Sequence, residues 1–323
     1  VVRKILTGGR RKSPIRKSSS RVEKASDDDI LARRVGLRPS NGWHRRNFFL
    51  EVLLPSLFTT RTGSHRPPIF PQLHQGQVCI TWIGHASFLI QTPKLNILVD
   101  PNWSNWLKIV KRLKHPGIHI KDLPAIDLVL VTHAHFDHLD KKTLKAVAAD
   151  QPIIVPYEVG NLVHKLGFKH VEELHYWESA EHEDLRVTLT PAQHWGARVL
   201  HDQHRGFGGY ILETHGRTIY HCGDSAWFEG FGDIGKKFDI DVALLPIGSY
   251  DPPSGREVHM NPEQALDAFD QLGAKFLVPM HYGSFPLSFE PLHEPLDRFL
   301  RAVQDRGMGE EVCVVEEGVP QVF

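Results

Sequence analysis

His133, His135, Asp137 and His138 place three imidazoles and a carboxylate within six residues. Imidazole nitrogen is a borderline-soft donor and carboxylate oxygen a hard one, and together they suit zinc and similar divalent ions. The group stands between the apolar run DLVLVT (127–132) and a stretch of helical character from Lys141. A strand end is rigid, and the loop leaving it can turn several side chains toward one point. Four donors cannot close two tetrahedral shells, so further ligands must come from elsewhere. Three other apolar strands end on a suitable donor: LRVTLTPAQ on His194, RTIYHCG on Asp224 and KFLVPM on His281. Any one of these reads equally well as a buried, satisfied histidine or a loop aspartate. Three at strand tips, with the loop, read as one metal site. Asp100 ends LNILVD before Pro101 and either fixes the tautomer of a ligand imidazole or caps its strand. His85, in TWIGHASFLI, either lines the site or sits in the turn between two strands. Cys222 is a weaker thiolate candidate, since Asp224 two residues on fills the role and cysteine is also a common buried apolar residue.

The elements that must hold these donors begin near residue 77. QVCITWI, SFLIQ and LNILVD read as consecutive strands with a hairpin turn at Thr92 to Lys94, and DLVLVT as a buried strand followed by a helix at Lys141 to Ala149. Strands PIIVP, VEELHY, LRVTLT, GGYILET, RTIYHC, DVALLP, KFLVPM and VCVVEE follow. Helices are expected near Glu158 to Leu166, Ala226 to Phe238, Pro262 to Leu272 and Leu292 to Arg306. Strands mixed with covering helices imply an α/β domain whose sheets are packed by helices on their outer faces. Residues 1–42 are rich in Lys, Arg, Ser and Gly without an apolar period and read as a flexible basic arm, with a targeting peptide as the other reading. Residues 43–76 form an extension whose apolar cluster (Phe48 to Phe58, broken by Pro55) is either a helix docked on the core or a surface for lipid or a second copy in a homodimer.

Lys and Arg together number 38, as do Asp and Glu, so no global field favours nucleic acid. The three cysteines are widely spaced and form no CxxC pair, which argues against a thiolate cage or disulfide framework and fits a reducing, cytoplasmic setting. No run of 18 apolar residues suggests a spanning helix.

HAHFDHLD resembles the HxHxDH signature of the metallo-β-lactamase superfamily, and the later His, Asp and His recur in its order, over residues 77–323. The resemblance implies an αββα sandwich of two mixed sheets. It implies two zinc ions, one on His133, His135 and His194, the other on Asp137, His138 and His281, with Asp224 bridging; iron or manganese would also accept these donors. Such paired ions lower the pKa of water to near neutrality and polarise a substrate carbonyl or phosphoryl oxygen. The segments PAQHW, CGDSAWFEGFGDIGKKF, LLPIGSYDP, HMNPEQAL and PMHYGSFPLS further resemble the N-acylphosphatidylethanolamine-hydrolysing phospholipase D branch, whose wider relatives are ascorbate-6-phosphate lactonase-like proteins. That branch implies attack of a metal-bridging hydroxide on phosphorus, giving phosphatidic acid and an N-acylethanolamine. Asp137 and Asp224 would serve catalysis through the metals. His259 would steer or protonate the leaving alkoxide, unless it merely leads the helix capped by Asn261-Pro262. A phospholipid substrate implies peripheral membrane contact through residues 43–60. The competing enzyme is a lactonase or other small-molecule ester or amide hydrolase, β-lactams included, on the same metals. The first 76 residues resemble the branch only loosely.

Overall fold

A computed structural model describes residues 46–199 and 202–323. The arm expected at 1–42 lies outside the described residues, as do the first three positions of the extension. Phe49–Leu53 forms a wide helical turn that runs into α1 (Leu54–Phe58). Strands β1 (Cys79–Gly84), β2 (Ser87–Gln91) and β3 (Asn96–Val99) form an antiparallel meander. A small hairpin follows, β4 (Trp106–Leu107) and β5 (Val110–Lys111), then β6 (Leu128–Leu130), α2 (Lys141–Val147), β7 (Pro152–Pro156) and β8 (His170–Leu174). The second half contributes β9 (Ser179–His182), β10 (Leu185–Thr190), β11 (Gly209–Thr214), β12 (Arg217–His221), α3 (Gly230–Lys237) and β13 (Val242–Pro246). It closes with α4 (Pro262–Leu272), β14 (Phe276–Met280), α5 (Glu294–Arg306) and β15 (Pro320–Val322).

Two mixed sheets result, in the orders β15-β1-β2-β3-β6-β7-β8 and β14-β13-β12-β11-β10-β9. The period-two alternation of the first sheet's strands decides where each side chain goes. Ile80, Trp82, Phe88, Ile90, Ile97, Val99, Leu128 and Leu130 join the core shared with the second sheet. Their neighbours Ile83, Leu89, Leu98, Val129 and Val131 pack on the opposite face with Leu139 and Leu144 of the α2 region. The second sheet carries α3, α4 and α5, whose Phe231, Ile234, Leu266, Phe269 and Phe299 are buried in the shared core's cluster. This is the αββα sandwich. Helix α4 starts where Asn261 accepts from the Gln264 N–H while Gln264 returns the bond, and stops at Gly273 in the left-handed region, φ 63°.

Several expected elements differ. Residues 158–166 form only a single tight turn at Gly160–Leu162, because the Glu173 carboxylate takes the Glu158 and Gly160 N–H groups and holds this segment as a loop against β8. Helix α3 begins at Gly230 rather than Ala226, since Ala226 is held extended by a bridge to Gln193. The VCVVEE segment pairs with its sheet only by the bridge of Val312 to Leu277, and Gly318 turns the chain so that 320–322 becomes the edge strand on β1. The hairpin β4–β5 and strand β9 were not expected. The extension crosses the body as a strap: Thr62 bridges Lys114, and the Lys111 ammonium caps the helix end by donating to Leu57 O and Thr59 O at 2.8 Å each.

Candidate metal centre

Every donor arrives on a strand tip or the loop leaving one. His133 and its neighbours follow β6, Asp100 follows β3, His194 follows β10, Asp224 follows β12 and His281 follows β14. His85 sits in the β1–β2 turn and His259 just before α4. His85, Asp100 and His281 take φ values of 58°, 44° and 61°, a region costly for side-chain-bearing residues and tolerated best by Asp, Asn and His. Gly223, φ 63°, lets Asp224 approach, because a Cβ there would lie 2.9 Å from Thr132 Cβ and 2.8 Å from Gly208 O.

The side chains gather into two groups of four, overlapped by a third of Asp224, His259 and His281. In one, His133 Nε2 lies 3.0 Å and His194 Nε2 3.2 Å from His135 Nδ1, with Asp224 completing the set. In the other, His85, Asp137, His138 and His281 converge. His85 Nε2 is 2.9 Å from Asp137 Oδ2, and His281 Nε2 is 3.5 Å from the same oxygen. Asp224 Oδ2 stands between the groups, 3.1 Å from both His138 Nε2 and His281 Nε2 and 3.8 and 3.9 Å from the His133 and His194 nitrogens. His259 Nδ1 is 4.0 Å from that oxygen, and its ring stacks on His281 at 5.3 Å. Cys222 points into the core with burial pushing its thiol up to about 12, so it offers no thiolate here.

The donor set fits a bound cation. His138 Nε2, His281 Nε2 and Asp224 Oδ1 are buried without a hydrogen-bond partner, although His138 and His281 approach Asp224 closely. Nitrogen and oxygen lone pairs aimed at common points rather than at one another are what a metal satisfies. The far sides of His194 and His138 are occupied. His194 Nδ1–H donates to Val258 O at 2.9 Å, which leaves Nε2 as the donor toward the site. His138 Nδ1 faces Asp100 Oδ2 at 2.7 Å, and Asp100 is itself fixed by the Thr132 N–H at 2.7 Å and the Thr132 hydroxyl at 2.6 Å.

Burial, with neighbouring imidazoles, holds His133 well below the ordinary histidine range and His135 down to about 3, so both are neutral donors. Burial also lowers His85 to about 3, reinforced by His281, and lowers His194 and His259. Burial opposes charge on Asp137 and Asp224 as well, but His138 with its neighbours outweighs it and keeps both carboxylates ionised. The same pairing, working against burial, raises His138 well above its usual range and His281 to about 9. The buried carboxylates therefore demand positive charge at this point, and a divalent ion meets that demand.

Sequence reasoning overlooked several residues that hold the loop. The Arg198 guanidinium donates to Ala134 O and Leu139 O at 2.8 and 2.9 Å and lies over the Phe136 ring, clamping both ends of the motif. His221 donates from Nε2 to Ala86 O and accepts the Gly223 N–H on Nδ1, setting the turn that delivers Asp224. Trp195, half exposed, stands edge-on to His135 with ring centroids 4.4 Å apart. Its place in PAQHW was the available signal.

This fold and this site define a metallohydrolase of the β-lactamase superfamily: the model of the Beta-lactamase superfamily domain matches residues 95–282, and the chain belongs to that family. Within it the chain falls in the branch of N-acylphosphatidylethanolamine-hydrolysing phospholipase D-like proteins. It is similar to the N-acyl-phosphatidylethanolamine-hydrolyzing phospholipase D 1 of Caenorhabditis elegans, 30% identical over 248 residues that cover 70% of each chain. It is 32% identical to a metal-dependent hydrolase of Methanopyrus kandleri over 243 residues, 74% of this chain and 97% of that one. Among solved structures, a metallo hydrolase from Ignicoccus hospitalis aligns with a TM-score of 0.60 at 28% identity, covering 76% of this chain and 98% of the other. The protein is thus a metal-dependent hydrolase. Among the described residues no helix is long and apolar enough to cross a membrane.

Proposed function

We propose that the protein is a dinuclear zinc phosphodiesterase that hydrolyses N-acylphosphatidylethanolamine to phosphatidic acid and an N-acylethanolamine. The observation that carries this reading is the pair of donor groups meeting at Asp224, in a chain related to an enzyme named for that reaction. His133, His135 and His194 would hold one ion, Asp137, His138 and His281 the other, and Asp224 both. Bound zinc supplies Lewis acidity toward a phosphoryl oxygen and lowers the pKa of water.

The chain's own residues do the rest. Asp100, through His138, and Val258 O, through His194, fix which ring nitrogen faces the metals. His85 donates a hydrogen bond from Nε2 to the Asp137 carboxylate and holds it against His281. His259 is a neutral imidazole beside His194 and His281, so its contribution is to orient the departing ethanolamine oxygen by a hydrogen bond. A small crevice beside His281 is lined by Tyr282, Phe285, Leu287, Ser249 and Ser288.

Residues 43–60 we read as a peripheral membrane contact of a cytoplasmic protein, placed before a catalytic domain at 77–323. Phe49, Leu50 and Phe58 are exposed by 53%, 56% and 84%, apolar side chains that a lipid surface would cover. The test is incubation of zinc-loaded protein with N-acylphosphatidylethanolamine vesicles, with His135→Ala as control and products read by mass spectrometry. Both products from the wild type and none from the control are expected. Turnover of lactones with no phospholipid product would replace this reading with the small-molecule hydrolase. A dimer in solution, seen by light scattering, with no vesicle binding would replace the membrane contact.

A further inference from the structure

Arg112 is a large cation with no exposed surface, and nothing in the metal chemistry calls for it. Burying a guanidinium is costly unless its donors are used, and of its three nitrogens only Nη1 lacks a hydrogen-bond partner. Its Nε donates to Ser104 O at 2.9 Å and its Nη2 to Asn102 O at 2.8 Å. Asn102, also without exposed surface, donates from Nδ2 to the backbone carbonyl of Asp137 at 2.8 Å. On its other side the guanidinium lies 4.4 Å above the Phe285 ring, and Phe285 meets the His85 ring edge-on at 5.2 Å. His85 in turn binds the Asp137 carboxylate at 2.9 Å. Two arms leave one buried cation and end on one residue: the first on the Asp137 backbone, the second on its side chain. Neither arm reaches His133, His135 or His194.

We infer that Arg112 and Asn102 are positioning residues for one of the two metal subsites, fixing Asp137 and His85 from behind so that the group with His138 and His281 is preformed. The inference rests on the dinuclear reading above. Asp137 lies in a loop whose side chain must hold still against His85, His138 and His281, and a carbonyl pinned from below fixes its Cα while Phe285 fixes the imidazole that orients its carboxylate. Partners of this kind change metal affinity about 10–100-fold when removed.

The experiment measures zinc stoichiometry and chelator competition on the full chain for the wild type, Asn102→Ala, Arg112→Met, Arg112→Lys and, as reference, Asp137→Ala. Visible spectra of the cobalt-loaded proteins and melting temperatures are recorded alongside. Asn102→Ala and Arg112→Met should weaken one of two zinc equivalents about 10–100-fold, the same one lost in Asp137→Ala, and leave the other unchanged. Arg112→Lys, which keeps the charge but not the fork, should fall between. If Arg112→Met does not fold, Asn102→Ala carries the test, because it leaves the guanidinium buried. A wild type with two ions, both held equally tightly by Asn102→Ala or both weakened in step with melting temperature, overturns this inference alone. A wild type that takes up a single ion, held as tightly in Asp137→Ala, overturns the dinuclear reading and this inference with it.

Discussion

Asp100→Asn is the sharpest probe of how the second layer tunes the ligands. The Asp100 carboxylate is fully buried and accepts three contacts: the Thr132 N–H on Oδ1, and the Thr132 hydroxyl and His138 Nδ1 on Oδ2. An amide offers only one acceptor oxygen. Placed with its NH2 at the Oδ2 position, it sets a donor against His138 Nδ1–H and strips the Thr132 hydroxyl of its acceptor. Flipped, it sets that donor against the Thr132 N–H. Either way at least one hydrogen bond to a charged group is lost, about 1.5–3 kcal/mol. For a domain of this size that lowers the melting temperature by roughly 3–10 °C. It also frees His138 to adopt the other tautomer, with its Nε2 protonated toward the metals, so zinc affinity should fall about 10–100-fold. Differential scanning calorimetry and chelator competition read the two effects separately. A variant that melts lower but holds zinc as tightly as the wild type would refute the tautomer argument.

Gly223→Ala places a Cβ 2.9 Å from Thr132 Cβ at a φ of 63°, so it should cost about 1–3 kcal/mol in urea unfolding and weaken metal binding by displacing Asp224. Asp241 reports on pH away from the site. Burial works against its charge, but Lys275, the Thr218 N–H and Arg217 outweigh that and lower its pKa. The stabilisation is therefore present above the ordinary aspartate pKa and lost as pH falls through the depressed one. Asp241→Asn should melt lower than the wild type at about pH 7, with the gap narrowing as pH falls below the ordinary aspartate range of about 4; a gap that widens as pH falls would contradict this. Phe58→Glu, on a side chain 84% exposed, should leave the melting temperature unchanged and reduce sedimentation with phospholipid vesicles. Undiminished sedimentation would remove the membrane role of this helix.

Much of the site is legible because each donor sits at a place sequence marks well. The His133–His138 loop is local, and His194, Asp224 and His281 each close a short apolar run before a turn. The two-sheet sandwich follows from alternation such as Ile97, Leu98 and Val99, whose odd members face the shared core and whose middle member faces α2. What escaped depends on distant partners. Glu173 keeps 158–166 from forming a helix across 13 residues of sequence, and Asn102 reaches Asp137 across 35. The hairpin β4–β5 has strands of two residues and turns at Lys108 with φ 57°, which no apolar period announces. Arg112 has the sequence signature of any surface arginine, and only the packing around it shows that it is buried.

Running the vesicle reaction in heavy-oxygen water shows where the attacking water goes. Attack at phosphorus puts one labelled oxygen in phosphatidic acid and none in the N-acylethanolamine. Label in the N-acylethanolamine, or in a released fatty acid, would contradict it.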